Sequence, residues 1–516
     1  MTRGRSSCQW LGQTLLILTP VLCFPFGGYA DLGAQEVGST LTLDDAINLA
    51  RRNNPTFLST ENDQGPADWN VKEAYGLFLP DFSTSVSGQY SAPGSPSFGI
   101  FDAGDLGLGV TDYFFSGYNL TASYSLLGGN LFRLSSARAD RRATEARITA
   151  ASFTLESEVT AQYLMALRAR DGVEVALRQL DRAQQNFELA DARVAVGAAT
   201  PTDGKQAEVE KGRAQIDLLE AESLMRTEKL RLLEQLGVQA EGEFSLMSEF
   251  ELFQPTWDRD DLVSRAMDQH PQLRAFQAQE SARKASSRQA WSAYLPNVFM
   301  SASWSGRARQ IGDEQFLLNS ARGAVSSQAS NCQFWNEVSA GLTQPLTGYP
   351  QECGASVLTP DQEAQILANN DVFPFDFRKE PWSLYVQVSF PVFQGFGRQR
   401  QVAEAKAAAE DARFDRIAEE LRLQTGVTQA FDELMTATQV VEIETRNREV
   451  AEEQLELAQE RYRLGASSFL ELLEAQSSMA TAERDFLNAR YRFHGAIWAL
   501  EAAVGERLRP EADFRP

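Results

Sequence analysis

The sequence repeats itself, and this duplication restricts the possible folds more than any other feature of the chain. One block recurs at an offset of 216 positions and pairs Asp44, Asp45, Ala50, Pro55, Ala74, Leu79 and Pro80 with Asp260, Asp261, Ala266, Pro271, Ala290, Leu295 and Pro296. A second block recurs at an offset of 268 and pairs Ala137, Ala139, Val159, Thr160, Leu189, Ala190, Arg193, Gly197, Ala198 and Ala207 with Ala405, Ala407, Val427, Thr428, Leu457, Ala458, Arg461, Gly465, Ala466 and Ala475. Repetition at fixed register predicts a repeated structural unit. We place the first unit at residues 31–256 and the second at 257–510, and the larger second offset places an insertion at about 306–381.

Both units have the same predicted order of elements. Each opens with a helix, at about 43–76 and 258–293, and a Leu-Pro pair follows because proline lacks a backbone donor and restricts the residue before it. Two strands come next. A proline-free run rich in Ala, Glu, Gln, Arg and Leu then predicts a long helix over 131–196 and again over 399–464, and a shorter helix returns from each. At about 1.5 Å per residue each long helix would measure roughly 100 Å, so we expect a mainly α chain with β, extended into a helical column.

The predicted strands alternate between apolar and small hydroxylic residues, which indicates one oily and one polar face. The oily positions are Phe82, Thr84, Val86 and Tyr90; Tyr118, Leu120, Ala122, Tyr124 and Leu126; Val298, Met300, Ala302 and Trp304; and Trp382, Leu384, Val386, Val388 and Phe390. A soluble β-sandwich can alternate in the same way. However, four strands of membrane-spanning length cannot close a barrel alone, and open sheet edges are not tolerated in lipid. Several copies must therefore contribute to the barrel, and three copies with four strands each would give twelve strands.

The first 30 residues have the features of a secretory signal peptide. Arg3 and Arg5 precede an apolar stretch, and small residues precede Ala30. A membrane anchor fits less well because Pro20 and Pro25 interrupt the stretch. Removal of this segment would take away two arginines and change the net charge from −22 to −24. Because so acidic a surface repels nucleic acid, we expect an exported chain with no nucleic-acid partner.

Cysteine and histidine usage argues against catalysis and metal binding. Once the signal peptide is removed, Cys332 and Cys353 are the remaining cysteines, and we expect them to pair because disulfides persist in exported proteins. They lie in the inserted segment, which we expect to be a long outward-facing loop with little core of its own. His270 and His494 are the only histidines and are far from both cysteines along the chain. We therefore expect no metal, no cofactor and no enzymatic activity.

Four segments of the chain resemble the outer membrane efflux protein (TolC) family. They are LTLDDAINLARRNNP at 41–55, AYGLFLPDFS at 74–83, VFQGFGRQRQ at 392–401 and ERYRLGASSFLELLEAQ at 460–476. The resemblance extends over nearly all of the chain after residue 30. It implies a homotrimer whose barrel lies in the lipid of the outer membrane and whose helices form a tunnel in the periplasm. It also implies a periplasmic adaptor and an inner-membrane pump as partners, and passive export through a tripartite efflux or type I secretion system.

The same resemblance implies roles for the turns between the long and the returning helices. Contact with the adaptor would fall on Val196, Gly197 and Ala198 in the first turn and on Leu464, Gly465 and Ala466 in the second. Acidic residues narrow the tunnel entrance in the family, and here those positions are Glu471 and Glu474. They share a helix face because they are three residues apart, and threefold rings of carboxylates would favour cations. A latch at the same constriction would use Tyr462, Thr202 and Asp203, although Ser467 stands where the family has a basic residue.

Two other classes of protein share part of this pattern. A periplasmic coiled-coil adaptor or scaffold would have the long alanine-rich helices but no strands with an oily face. A secreted hydrolase with paired carboxylates would need a pocket that brings them together, and the sequence has no Walker loop, GxSxG or HExxH motif. The four alternating strands favour the channel over both alternatives.

Overall fold

The computed structural model of the chain describes residues 40–94, 97–98, 101–102, 111–239, 244–247, 252–355 and 357–508. The predicted signal peptide, residues 1–30, lies outside the described residues. Elements of the first half are β1 (Thr40–Leu41), α1 (Leu43–Asn53), α2 (Pro55–Glu61), α3 (Gln64–Gly76), β2 (Asp81–Ser91), β3 (Ser97–Phe98), β4 (Phe101–Asp102), β5 (Tyr113–Leu126), α4 (Arg133–Ala195) and α5 (Pro201–Leu236). Those of the second half are β6 (Ser245–Leu246), α6 (Arg259–Gln269), α7 (Pro271–Trp291), β7 (Asn297–Ile311), α8 (Glu314–Gly341), α9 (Pro360–Asn370), β8 (Arg378–Lys379), β9 (Ser383–Ser389), α10 (Gly397–Arg463) and α11 (Phe469–Val504).

The helix that opens each half is broken, and the prediction of single helices over 43–76 and 258–293 was wrong. Asn54 and His270 have ψ of 117° and 124°, outside the helical range. Each stands before a proline, whose ring disfavours the helical conformation of the preceding residue. The proline begins the next helix, and the side chain before it accepts a hydrogen bond from a backbone N–H of that helix's first turn. The breaks are therefore capped junctions.

Long helical hairpins confirm the predicted column. α4 has 63 residues and α10 has 67, which corresponds to roughly 95 and 100 Å. α4 packs along α5, α10 packs along α11, and α7 lies against both long helices. Buried clusters surround Tyr163 near α1 and Ile497 near α6, and a third surrounds Tyr462 at the far end of the hairpins. None of the helices in the described ranges has an apolar, nearly uncharged stretch long enough to cross a bilayer.

The four predicted strands are confirmed as one antiparallel sheet. Their order is β2–β5–β7–β9, and the short β8 pairs with two residues of β7. Leu120 lies between Thr84 and Trp304 on its neighbours, so the even-numbered residues of the strands share one face. The alternation in sequence therefore becomes a continuous oily face, which we define as these even-numbered positions. The outer edges of β2 and β9 have no partner strand within the described part of the chain.

Much of the inserted segment is helical where a long loop was expected. As expected, it has little core of its own, because only three residues of α8 are buried and none of α9. β7 continues to Ile311, and α8 and α9 occupy much of the remainder. α8 contains no proline, and the carboxylate of Asp313 accepts hydrogen bonds from two backbone N–H groups of its first turn. A disulfide joins Cys332 of α8 to Cys353, with 5.6 Å between their Cα atoms. The insertion is thus a disulfide-linked helical unit at the end of the sheet away from the long hairpins.

Candidate functional site at the hairpin tips

The two tips have the same backbone geometry. Gly197 and Gly465 each have φ of +77°, a left-handed backbone conformation that residues other than glycine rarely adopt. The N–H of Ala198 donates to the carbonyl of Arg193 at 2.8 Å, and the N–H of Ala466 donates to the carbonyl of Arg461 at the same distance. The long helices therefore end in equivalent glycine turns, 268 positions apart.

Each returning helix begins with a hydroxyl N-cap. Asp203 and Thr200 form a reciprocal capping box in which Thr200 Oγ1 accepts from the Asp203 N–H at 3.3 Å and Asp203 Oδ2 accepts from the Thr200 N–H at 3.0 Å. In the second tip Ser468 Oγ accepts from the N–H of Glu471 at 3.3 Å. The Asp203 carboxylate, predicted at the constriction, thus caps its own helix, and the neighbouring Thr202 is exposed.

Both predicted acidic residues of the constriction lie on the first turns of α11. Glu471 forms an ion pair with Arg461 of the same hairpin, and each side chain is partly exposed. Glu474, one turn further along, is exposed and makes no ion pair within the described residues. The second tip therefore carries one carboxylate compensated by an arginine and one carboxylate open to solvent.

Tyr462 lies between the two hairpins and is only 2% exposed. Its ring centroid is 5.6 Å from that of Phe469, and its hydroxyl has no hydrogen-bond partner among the described residues. Burial raises the pKa of Tyr462, and the nearby Arg193 cation opposes that rise. This tyrosine belongs to the packed seam between the hairpins, so that within one chain its hydroxyl makes no latch contact.

Arg193 connects the first hairpin to the second, and the sequence did not identify it as a site residue. Its guanidinium lies 4.5 Å from the Tyr462 ring centroid. Nη1 donates to the Tyr462 carbonyl, and Nη2 donates to the Ala198 carbonyl at 3.1 Å. Arg461 is its counterpart in the repeat, but that side chain pairs with Glu471 instead. The matched arginines were visible in the duplication, whereas their different partners depend on the packing of the hairpins.

The outermost tip residues are exposed and apolar. Val196 and Leu464, equivalent in the repeat, are 78% and 76% exposed, and Gly197, Ala198, Gly465 and Ala466 beside them are also exposed. Ser467, where the resemblance expects a basic residue, is half-buried, and its hydroxyl has no hydrogen-bond partner among the described residues. Across the part of the chain that the structure describes, no group of three His, Cys, Asp or Glu side chains lies close enough together to hold a metal ion.

Together these features define a class of protein: a duplicated chain in which each repeat joins a strand pair to a helical hairpin roughly 95 to 100 Å long. The chain belongs to the outer membrane efflux protein family, whose family model matches residues 46–238 and 364–506. It is accordingly a protein of the outer membrane, and its family and fold are those of channel proteins.

Comparison with known proteins gives distant relatives in sequence and a match of fold over most of the chain. Nodulation protein T of Rhizobium leguminosarum bv. trifolii is 29% identical over 132 residues, which cover 26% of this chain and 28% of that protein. The cobalt-zinc-cadmium resistance protein CzcC of Cupriavidus metallidurans is 20% identical over 257 residues, which cover 49% of this chain and 55% of that protein. The chain thus spans about half or less of these relatives. The crystal structure of the outer membrane protein VceC of Vibrio cholerae superposes with a TM-score of 0.64 at 16% identity, covering 90% of this chain and 97% of that one.

Proposed function

We propose that three copies of this chain form an outer-membrane channel that passively exports substrates in a tripartite efflux or type I secretion system. The observation that carries the proposal is the open sheet with one oily face. Four strands are too few to close a barrel, and exposed strand edges cannot stand in lipid. Pairing the free edge of β2 with that of β9 on the next copy closes twelve strands, and the hairpins then surround a tunnel.

The tips supply the periplasmic contact in this proposal. Val196 and Leu464 expose apolar side chains at the ends of the hairpins, and such side chains suit a helical partner that buries them. A periplasmic adaptor would dock there, and an inner-membrane pump would supply the energy for transport.

The second tip would form the constriction. Threefold symmetry would place three copies of Glu471 and three of Glu474 around the tunnel entrance, with Arg461 offsetting part of the charge of Glu471. Such rings attract cations. Arg193, with its contacts to Tyr462 of the other hairpin, would hold the tips together in a closed arrangement that serves as the gate of the tunnel, and it would therefore be a positioning residue for that gate.

Removal of the carboxylates tests the constriction. The double variant Glu471→Gln and Glu474→Gln should shift the reversal potential in a KCl gradient towards zero, because the tunnel entrance loses its negative charge. Glu208→Gln with Glu210→Gln is the matched control, since these carboxylates pair with cations on the first hairpin. Planar-bilayer recordings would measure both. An equal shift in the control, or none in the test variant, would rule out the assigned constriction without ruling out the channel.

A further inference from the structure

Residues 371–377, which we call the outer aromatic segment, lead from α9 back to the sheet and lie against its far end. The preceding Asn370 fixes the start of the segment: its Oδ1 accepts from the N–H of Ile311 at 2.9 Å, and its Nδ2 donates to the carbonyl of Ile311 at 2.8 Å. The N–H of Phe373 then donates to Gln310 Oε1 at 3.0 Å. The segment is therefore held to β7 by side-chain hydrogen bonds at the point where that strand ends.

The segment packs on the oily face of the sheet. Ring centroids are 5.3 Å apart for Phe373 and Phe114 and 5.1 Å apart for Phe377 and Tyr118. Ser116, between the two strand aromatics, donates to the Pro374 carbonyl at 2.6 Å. Phe114, Ser116 and Tyr118 share the face that carries Leu120, as their even numbers require, and Ser116 and the opposite Ala308 are buried. The insertion thus reaches over the outer rim and covers the outer end of the oily face.

One aromatic side chain of the segment, Phe375, is largely exposed. Phe375 is 66% exposed, although its ring centroid lies 6.5 Å from that of Phe377. Charged residues surround it in sequence, with Asp371 and Asp376 in the segment and Arg378 directly after it. An aromatic ring beside charged groups is the combination that favours the boundary between acyl chains and headgroups.

The level of the segment along the sheet matches that boundary. Tyr118 and Leu126 are eight residues apart on β5, which gives roughly 26 Å along the strand and roughly 20 Å in height at a tilt of about 40°. Extending the span to Phe114 gives roughly 30 Å in height on the same basis. The apolar band of outer-membrane barrels is about 25 Å tall. The segment, packed between the levels of Phe114 and Tyr118, therefore straddles the outer limit of such a band.

From the packing and level of the segment we propose that the outer aromatic segment is a membrane anchor that seats the outer rim of the barrel in the headgroup boundary of the outer leaflet. Its partner is lipid, because the segment packs on the oily face at the level of the headgroup boundary and leaves Phe375 exposed. The inference rests on the proposed barrel. It assigns a role to part of the insertion that neither the tunnel nor the gate requires.

Nitroxide labels at three single cysteines test the anchor in the full-length trimer, with the Cys332–Cys353 disulfide intact. Phe375→Cys reports on the segment, Val386→Cys reports on the middle of the oily face, and Ser327→Cys on α8 reports on a position expected in water. The trimer is reconstituted in vesicles of phosphatidylcholine and phosphatidylglycerol. Power saturation then gives the ratio of collisions with oxygen, which partitions into lipid, to collisions with a water-soluble nickel chelate.

The anchor predicts an oxygen-to-nickel ratio at position 375 that is several-fold above the ratio at 327 and below the ratio at 386. A ratio at 375 equal to that at 327, with a high ratio at 386, would overturn the anchor and leave the barrel intact. Low ratios at all three positions would overturn the barrel itself. Strong spin–spin broadening at 375 alone would show that a second copy covers the segment, which would also overturn the lipid assignment.

Discussion

Asn54 and His270 occupy equivalent positions in the duplication and make equivalent contacts. Asn54 Nδ2 donates to the carbonyl of Gln235 at 2.9 Å, and His270 Nε2 lies 3.2 Å from the carbonyl of Ala502. Each side chain also caps the helix that follows it. Each thus ties a helix start to the end of a returning helix. A neutral imidazole satisfies both contacts, because Nδ1 accepts while Nε2 donates.

The histidine version of this junction should depend on pH. Burial lowers the pKa of His270, so the unfolded chain binds a proton more readily than the folded one. The stability it contributes should be complete above the unfolded pKa of about 6.5 and should fall as the pH drops below that value towards the lowered folded pKa. The protonated ring cannot accept from the Gln272 N–H, and loss of such a cap costs about 1 kcal/mol.

Hydrogen exchange in the first turn of α7 between pH 8 and pH 5 would measure this effect. His270→Asn is the matched variant, because Asn54 shows that asparagine serves the same junction without titrating. Exchange in this variant should lose the acid-dependent increase, after correction for the intrinsic pH dependence. If wild type and variant respond to acid equally, His270 is not the titrating cap.

Substitution of the two tip arginines should distinguish an arginine that positions the hairpins from one that offsets a carboxylate charge. Arg193→Ala removes the contact between the hairpins at Tyr462, so single-channel recordings should show more frequent opening. Arg461→Ala, the equivalent change in the repeat, frees Glu471 and should increase cation preference more than opening. Identical effects of the two variants would contradict the different roles assigned to them.

Some features of the tips could be predicted from sequence. Gly197 and Gly465 marked the turns, and Thr200-Pro201-Thr202-Asp203 contains a capping box that could have shown the local role of Asp203. Arg193 could not be assigned in the same way. Its partner is the carbonyl of Tyr462, 269 positions away, and no local pattern encodes how the two hairpins pack.

At the level of elements, Gly128 lies where the strands of both halves meet the helical column. Its N–H donates to Asn297 Oδ1 at 3.0 Å, and a Cβ on it would lie 2.5 Å from the Cβ of Leu295. Gly128→Ala should therefore force the junction apart and cost about 1–3 kcal/mol, as overpacking does. Gly129→Ala is the control, because a Cβ on Gly129 would meet no other atom within 4 Å. Thermal unfolding of the trimer followed by circular dichroism should show a lower Tm for the first variant only.

The elements themselves were predicted to different extents. Long helices and alternating strands have strong periodic signals, and both were found in place. The breaks before Pro55 and Pro271 were missed because the sequence on either side has a helical pattern. A single proline was the only local sign of a break. α8 was missed because its many Ser, Gly and Asn residues are poor helix formers. Asp313 before its first turn and the expected pair of Cys332 with Cys353 were visible in the sequence, but neither of them alone indicates a helix of 28 residues.

On the scale of the whole molecule, one copy of the chain has a sheet that is not closed. Its sheet exposes large apolar side chains such as Phe82, Val86 and Val388. The outer edges of β2 and β9 pair with no other strand in the described part of the chain. Neither feature suits a monomer in water, and both are resolved when three copies close a barrel in lipid.

The most direct test of the trimeric channel is planar-bilayer recording on the detergent-extracted chain, with the oligomer assigned by native mass on the same fraction. We expect a trimer that inserts as discrete pores and prefers cations. A chain that remains monomeric and produces no conductance would contradict the barrel and the tunnel together.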